Sequence, residues 1–331
     1  MKRTKRMGIA LLVILAMMMT LLVGCGSSEE EAAAPETDQI NIVTTIFPEY
    51  DWVMSVLGDE TEGIQVSQLL DSGVDLHSYQ PTAEDLAKLS TCDLFIYVGG
   101  ESDGWVEDAL KEATNPDMIV IDLMDVLGDN IKEEEIVEGM EGEEEEEEEE
   151  EGPEYDEHVW LSLNNAQALV QEISDAICEI DPDNAALYEA NTAAYLEQLT
   201  ALDAEYRAAV EAAPVKTLLF GDRFPFRYLT DDYGLDYYAA FVGCSAETEA
   251  SFETVTFLAK KVDELGLKTV MVIDGSDQKI AQTIISSSQD QDAVVRVLDS
   301  MQTATSKDVA AGKTYLSTMT ENLAVLKEAL Q

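Results

Sequence analysis

The sequence predicts an α/β protein of two lobes, each a mainly parallel sheet flanked by helices, joined by one long rigid helix. Three observations carry that expectation. Short runs rich in β-branched residues alternate with amphipathic stretches from residue 39 onward, the pattern of strands linked by crossover helices. The alternation falls into two similar halves. Between them, residues 183–213 hold neither Gly nor Pro and set Tyr188, Tyr195, Leu199, Leu202, Tyr206 and Val210 on one helical face.

Taken in order, the chain begins with Lys2, Arg3, Lys5 and Arg6 before an apolar run over residues 8–23 that ends in Leu22-Val23-Gly24-Cys25. That is an export signal over residues 1–24, and the run is short for a bilayer span of ~20 residues. Residues 25–38, rich in Ser, Glu, Ala and Pro, have no apolar periodicity and read as a flexible tether. The N-terminal lobe covers residues 39–182, with strands expected at 40–46, 64–70, 93–98 and 118–121 and helices at 82–89 and 105–113. It contains an acidic loop, residues 133–154, in which Glu143 to Glu151 are consecutive glutamates. Such a run cannot pack and stays solvated. The linking helix, residues 183–213, starts after Asp181-Pro182 and stops at Pro214. At ~1.5 Å per residue it would run ~45 Å, the length of a domain, and act as a strut. The C-terminal lobe, residues 214–331, has strands expected at 216–220, 237–242, 268–273 and 293–298 and helices at 252–265, 278–287 and 306–329.

The formal net charge is −49, with 68 acidic residues against 19 basic ones. Loss of the leader makes the chain more negative still. Such a chain repels nucleic acid and anionic membranes and attracts cations. Cys92, Cys178 and Cys244 show no CxxC spacing, and an odd number cannot all pair. Buried thiols and a single disulfide are both compatible with their apolar neighbours, and the three make a poor metal site.

Histidine occurs twice, at His77 in "DSGVDLHSYQPT" and at His158 in "EYDEHVWLS". His77 follows an apolar run, and ligands of open parallel sheets bind outside the carboxyl ends of strands. A lone loop histidine is usually only solvated, so the pair matters more than either alone. The stretch "LHSYQPTAEDLAKLSTCDLFIYVGGESDGW" followed about 80 residues later by "DEHVWLSLNNAQAL" resembles the bacterial zinc and manganese substrate-binding lipoproteins of ABC importers, and the likeness runs in order through residues 39–331. "LVGC" resembles their lipobox, which makes Cys25 the lipidated anchor.

The resemblance implies four metal ligands: His77, His158, a residue after the first strand of the second lobe, and an aspartate near its last strand. In "LLFGDRFPFRYL" the third place lacks the family's histidine or glutamate, which leaves Asp222. In "VVRVLDSM" the fourth is Asp299. Asp222 could instead cap a helix, and Asp299 could be a turn residue. Tyr79, Gln80 and Tyr155 are expected to support the histidines, with Glu249 lining the cleft by resemblance, although capping of the helix at Phe252 is the stronger reading for Glu247 and Glu249. Asp274 and Asp277 are expected to cap a helix. Two imidazoles and two carboxylates suit zinc, manganese or iron(II), and four protein ligands favour capture over catalysis.

The function so implied is that of an extracellular or periplasmic receptor, lipid-anchored at the outer face of the cytoplasmic membrane. It would capture Zn2+ or Mn2+, zinc slightly favoured, and deliver it to ABC permease subunits, with no nucleic-acid partner. The acidic loop would gather cations for the cleft or have no role in affinity. The competing readings are a metal-dependent surface hydrolase and an acidic adhesin or calcium-binding surface protein. Against the first, the sequence has no HExxH, GxSxG or phosphate loop; against the second, calcium sites take oxygen ligands and leave the histidines without a purpose.

Overall fold

The structure is a computed structural model that describes residues 39–141, 154–245 and 249–331. The leader, the tether with Cys25, the consecutive glutamates and Glu247 lie outside the described residues. Residues 40–331 form one unit. Its first lobe runs β1 (Ile40–Thr44), α1 (Phe47–Leu57), β2 (Ile64–Gln68), α2 (Ala83–Leu89), β3 (Leu94–Tyr97), α3 (Val106–Lys111), β4 (Ile119–Asp122) and α4 (Leu123–Leu127). α5 (Leu163–Ile180) and α6 (Ala185–Ala212) follow. The second lobe runs β5 (Thr217–Phe224), α7 (Arg227–Tyr233), β6 (Asp236–Val242), α8 (Phe252–Leu265), β7 (Thr269–Ile273), α9 (Lys279–Ser287), β8 (Val294–Leu298), α10 (Ser306–Ala310) and α11 (Tyr315–Ala329).

Each sheet is parallel, in the orders β2-β1-β3-β4 and β6-β5-β7-β8. All five residues of β7 are buried, as expected of a central strand covered on both faces, whereas edge strand β8 buries only Leu298. The repeated order places a crevice outside the carboxyl ends of the strands in both lobes. Local signals set the helix starts: Thr82 and Asp85 form a reciprocal cap on α2, and Ser162 and Ser251 cap α5 and α8.

α6 packs its Tyr188, Tyr195, Leu199, Leu202 and Tyr206 face inward. It ties itself to both halves, because Asn191 donates to the Val56 carbonyl and Tyr206 to that of Met319 in α11. One apolar cluster runs through both lobes, and Trp52, Trp160 and Tyr315 are fully buried within it. Trp160 Nε1 donates to the Ser300 carbonyl, Tyr315 Oη to that of Trp160, and the Tyr315 amide to Asp51.

Two elements differ from the expectation. The helix expected over 306–329 breaks at Gly312, whose φ of +98° suits glycine, and restarts on a Thr314 cap. The strand expected to end at residue 220 continues to Phe224, with its register shifting between Phe220 and Arg223. The structure also shows a strap that periodicity did not reveal. Lys132 and Glu134 pair by backbone with Asp156 and Glu154, and the Glu141 amide donates to the Ala240 carbonyl at the edge of β6. Tyr228 of α7 clamps the strap, accepting from the Lys132 amide and donating to the Asp156 carbonyl.

Candidate metal centre

His77 and His158 meet in the crevice between the lobes. His77 lies in a single 3-10 turn, Leu76–Ser78, capped by Asp75, which accepts the His77 amide at 3.1 Å. The other Asp75 oxygen receives Arg223 Nη2 of β5 at 2.6 Å, so an ion pair from the second lobe holds the loop of the first. Burial pushes the Asp75 carboxyl up, but its bond and attraction to Arg223 outweigh this and leave it below the usual range.

His158 is fully buried ahead of the 3-10 turn Val159–Leu161. Asp156 Oδ1 accepts its backbone amide at 2.8 Å and stands 3.0 Å from its Nδ1. The ring rests against Trp160, with centroids 5.2 Å apart. On the other side comes Gly243, where an added Cβ would lie 3.1 Å from His158 Cε1 and 3.0 Å from the Phe224 carbonyl oxygen. A side chain there would press on the ring by a few tenths of an ångström.

The rings face each other through Nε2, 3.2 Å apart. Asp156 can only accept when ionised, which puts the His158 proton on Nδ1 and leaves a lone pair on Nε2. His77 Nδ1 is 2.7 Å from Ser102 Oγ and 3.6 Å from Glu157 Oε2. Such a pair is held either by a proton between the two Nε2 atoms or by a cation that takes both lone pairs. At Zn–N distances of about 2.0–2.1 Å, two tetrahedral nitrogens stand roughly 3.3–3.4 Å apart, close to the spacing seen. Burial, then the neighbouring His158, pull the His77 imidazole down to about 3, against the opposing effect of Asp75. It is therefore neutral and ready to coordinate near pH 7.

The donor set fits a cation on two further counts. Glu157 is buried and its Oε2 has no hydrogen-bond partner, while Oε1 accepts the Ser102 amide; burial raises its carboxyl. Room for this side chain depends on Gly100, where a Cβ would collide with Glu157 Oε1. A cavity of about 250 Å3 opens from His77 to solvent, lined by Glu101, Glu134, Glu154, Tyr155 and Glu157. These carboxylates form a mouth that concentrates cations.

Cys244, two residues beyond β6, completes the cluster. The ligand atoms of His77, His158 and Cys244 lie within 4.8 Å of one another. Cys92, Cys178 and Cys244 are free thiols, which excludes the disulfide, and Cys92 and Cys178 stand outside the cluster. Burial pushes its thiol up, and Asp156, Glu134 and Glu157 push it further.

The two expected carboxylates lie outside this cluster. Asp222, inside the irregular stretch of β5, accepts the Arg223 amide, and its Oδ2 is buried without a partner. It lines a separate cavity of about 460 Å3 with Asp75, Arg223 and Asp274. Asp299 accepts the Met301 amide and pairs with Lys313 Nζ at 2.5 Å. Tyr79 donates to Asp85, Gln80 is exposed, Tyr155 lines the mouth, and Glu249 is exposed on the side of Lys279. The groups that hold the rings are Asp156, Ser102 and Glu157, which sequence reasoning passed over although two of them stand beside His158. Neither aspartate is the expected N-cap, a place taken by Gln278: Asp277 accepts the Lys279 amide from one residue further out, and Asp274 instead pins Ser300 and Thr303.

Two parallel-sheet lobes, a long helix bridging them and a histidine pair in the crevice define the class of two-lobed solute-binding proteins. Within that class, this chain belongs to the family described as zinc-uptake complex component A, periplasmic (ZnuA), whose sequence model matches residues 42–329. It is 31% identical over 321 residues to the zinc-binding lipoprotein AdcA of Streptococcus pneumoniae, covering 96% of this chain and 60% of that one. It is 29% identical over 323 residues to the high-affinity zinc uptake system protein ZnuA of Bacillus subtilis, covering 96% and 97%. Among solved structures, the Zn(II)-bound ZnuA-like domain of S. pneumoniae AdcA matches with a TM-score of 0.68 at 29% identity, over 88% of this chain and 99% of that one. The metal-dependent lipoprotein YcdH of B. subtilis matches with a TM-score of 0.71 at 27% identity, over 88% and 100%. The chain spans only 56% of the length of an AdcA relative from Streptococcus pyogenes.

Proposed function

We propose that this chain is the extracytoplasmic receptor of an ABC importer, capturing one zinc ion between its lobes at His77 and His158 and passing it to a membrane permease. The observation that carries the reading is the facing Nε2 pair, 3.2 Å apart and each backed at Nδ1 by a side-chain oxygen. Zinc is favoured over manganese because the cluster is nitrogen-rich and soft, and because the relatives above are named for zinc. In this reading Asp222 faces the separate cavity and Asp299 its Lys313 partner, and neither holds the cation. Lipidation at Cys25 holds the receptor at the outer face of the cytoplasmic membrane, and the chain captures its cargo without transforming it. The strut α6 and the interlobe hydrogen bonds favour small movements on loading over a wide hinge.

Titration calorimetry of the metal-stripped chain with zinc and with manganese, in excess calcium, tests this. One tight zinc site per chain, lost in His77→Ala and in His158→Ala, is expected. Many weak sites abolished by calcium would instead assign the chain to the acidic calcium-binding class.

A further inference from the structure

We infer that Cys244 is a metal ligand of the interlobe site, binding through Sγ as a thiolate beside His77 and His158, and that it selects thiophilic divalent cations over manganese. The inference rests on the reading of the crevice as the cargo site and deepens it by naming the class of cation.

Three features of the second lobe bring the sulfur to the histidines. β6 ends in the buried residues Ala240, Phe241 and Val242, which fix where the chain leaves the sheet. Gly243 follows, and its lack of a Cβ lets the backbone lie against the His158 ring without crowding it. Cys244 then reaches the mouth of the crevice, where its amide donates to Glu134 Oε1 at 3.2 Å. The strap of the first lobe thereby holds the residue that carries the thiol, and Sγ joins the two imidazoles within 4.8 Å.

The surroundings explain why a sulfur serves here. Arg223 occupies the end of β5 nearest this crevice, bonded to Asp75 and to the Ser245 carbonyl. Its amide holds Asp222 by Oδ1, and that carboxylate faces the separate cavity. Two neutral imidazoles alone bring no formal charge to a dication, and a thiolate contributes one directly. As the sulfur–metal bond forms, the thiol proton leaves for solvent, so one proton is released for each cation bound. Thiolate ligands favour zinc and other thiophilic ions, whereas manganese prefers carboxylate, carbonyl and water oxygens.

Cobalt(II) is the probe, added to the metal-stripped full chain under reducing conditions. The expected result is one cobalt per chain with a sulfur-to-cobalt charge-transfer band in the near ultraviolet. The band should be lost in Cys244→Ser and kept in Cys178→Ser. Zinc affinity of Cys244→Ser should fall by at least the roughly 10–100-fold that loss of an outer support costs, with its preference for zinc over manganese reduced. One bound cobalt without the band in the wild type, or a band that survives in Cys244→Ser, would overturn the inference while leaving the receptor reading intact. Unchanged binding in His77→Ala and His158→Ala would overturn the receptor reading itself. Should Cys244→Ser fail to fold, the wild type decides through alkylation read by mass spectrometry. Zinc should then protect Cys244 and leave Cys178 labelled as before, and equal labelling of Cys244 with and without zinc refutes the assignment.

Discussion

Asp156→Asn is the sharpest test of how the crevice prepares His158. The aspartate is buried, and one of its oxygens both accepts the His158 amide and stands 3.0 Å from Nδ1. Asparagine keeps the shape and an accepting oxygen but loses the charge that fixes the proton on Nδ1 and makes Nε2 a better donor to a metal. Outer carboxylate partners of metal-bound histidines are worth 10–100-fold in affinity, or about 1.4–2.7 kcal/mol. Zinc affinity should fall within that range while the urea unfolding midpoint of the metal-free chain moves little, because the amide bond survives. Competition with a chromophoric chelator measures the first and circular dichroism the second. Wild-type zinc affinity in a folded Asp156→Asn chain would refute the claim that Asp156 sets the tautomer.

The pH dependence of metal-free stability isolates His77. Its imidazole sits near 3 in the fold against about 6.5 in an unfolded chain, so below that value only the unfolded state takes up the proton. His77 therefore costs stability as pH falls from about 6.5 towards 3, by up to ~1.4 kcal/mol per pH unit. Asp51 and Asp103, raised by burial to about 6 and about 7, act in the opposite sense, so the comparison must be with His77→Gln in the same background. The wild type should lose ground to the variant between pH 7 and pH 5 in urea unfolding, and a constant difference would contradict this. Gly243→Ala, which presses on the His158 ring, should weaken zinc binding by roughly tenfold, as measured by chelator competition. Asp299→Asn should keep zinc affinity close to wild type while lowering the unfolding midpoint through loss of the Lys313 pair; a large loss of affinity would return Asp299 to the metal.

Much of the architecture was legible because it rests on local periodicity. The Tyr188 to Val210 face defined α6, and β-branched runs located the strands within a few residues. What escaped was decided by tertiary contacts. No periodicity marks residues 131–141 as a strap, since their pairing is with Tyr155, Phe241 and Tyr228, which are distant in sequence. The two histidines stood out by rarity and motif, but the third cluster member did not, because cysteine in "VGCS" looks like any small buried residue. The available signal was positional: Cys244 follows the carboxyl end of a strand, as ligand-bearing residues of parallel sheets do. Arg223 shows the opposite error, since attention to the carboxylate beside it obscured the interlobe ion pair that the guanidinium makes.

The strap also suggests a practical use. Its departing strand carries Glu134, which grips Cys244, and its returning strand carries Asp156, which grips His158. Residues 142–153 run from Glu141 to Glu154 of this strap, so a fluorescent domain spliced there would be tethered at both ends to the element that holds the cargo site. Loading that shifts the thiol relative to the imidazole would tug on both attachment points, making the receptor an optical gauge of free metal.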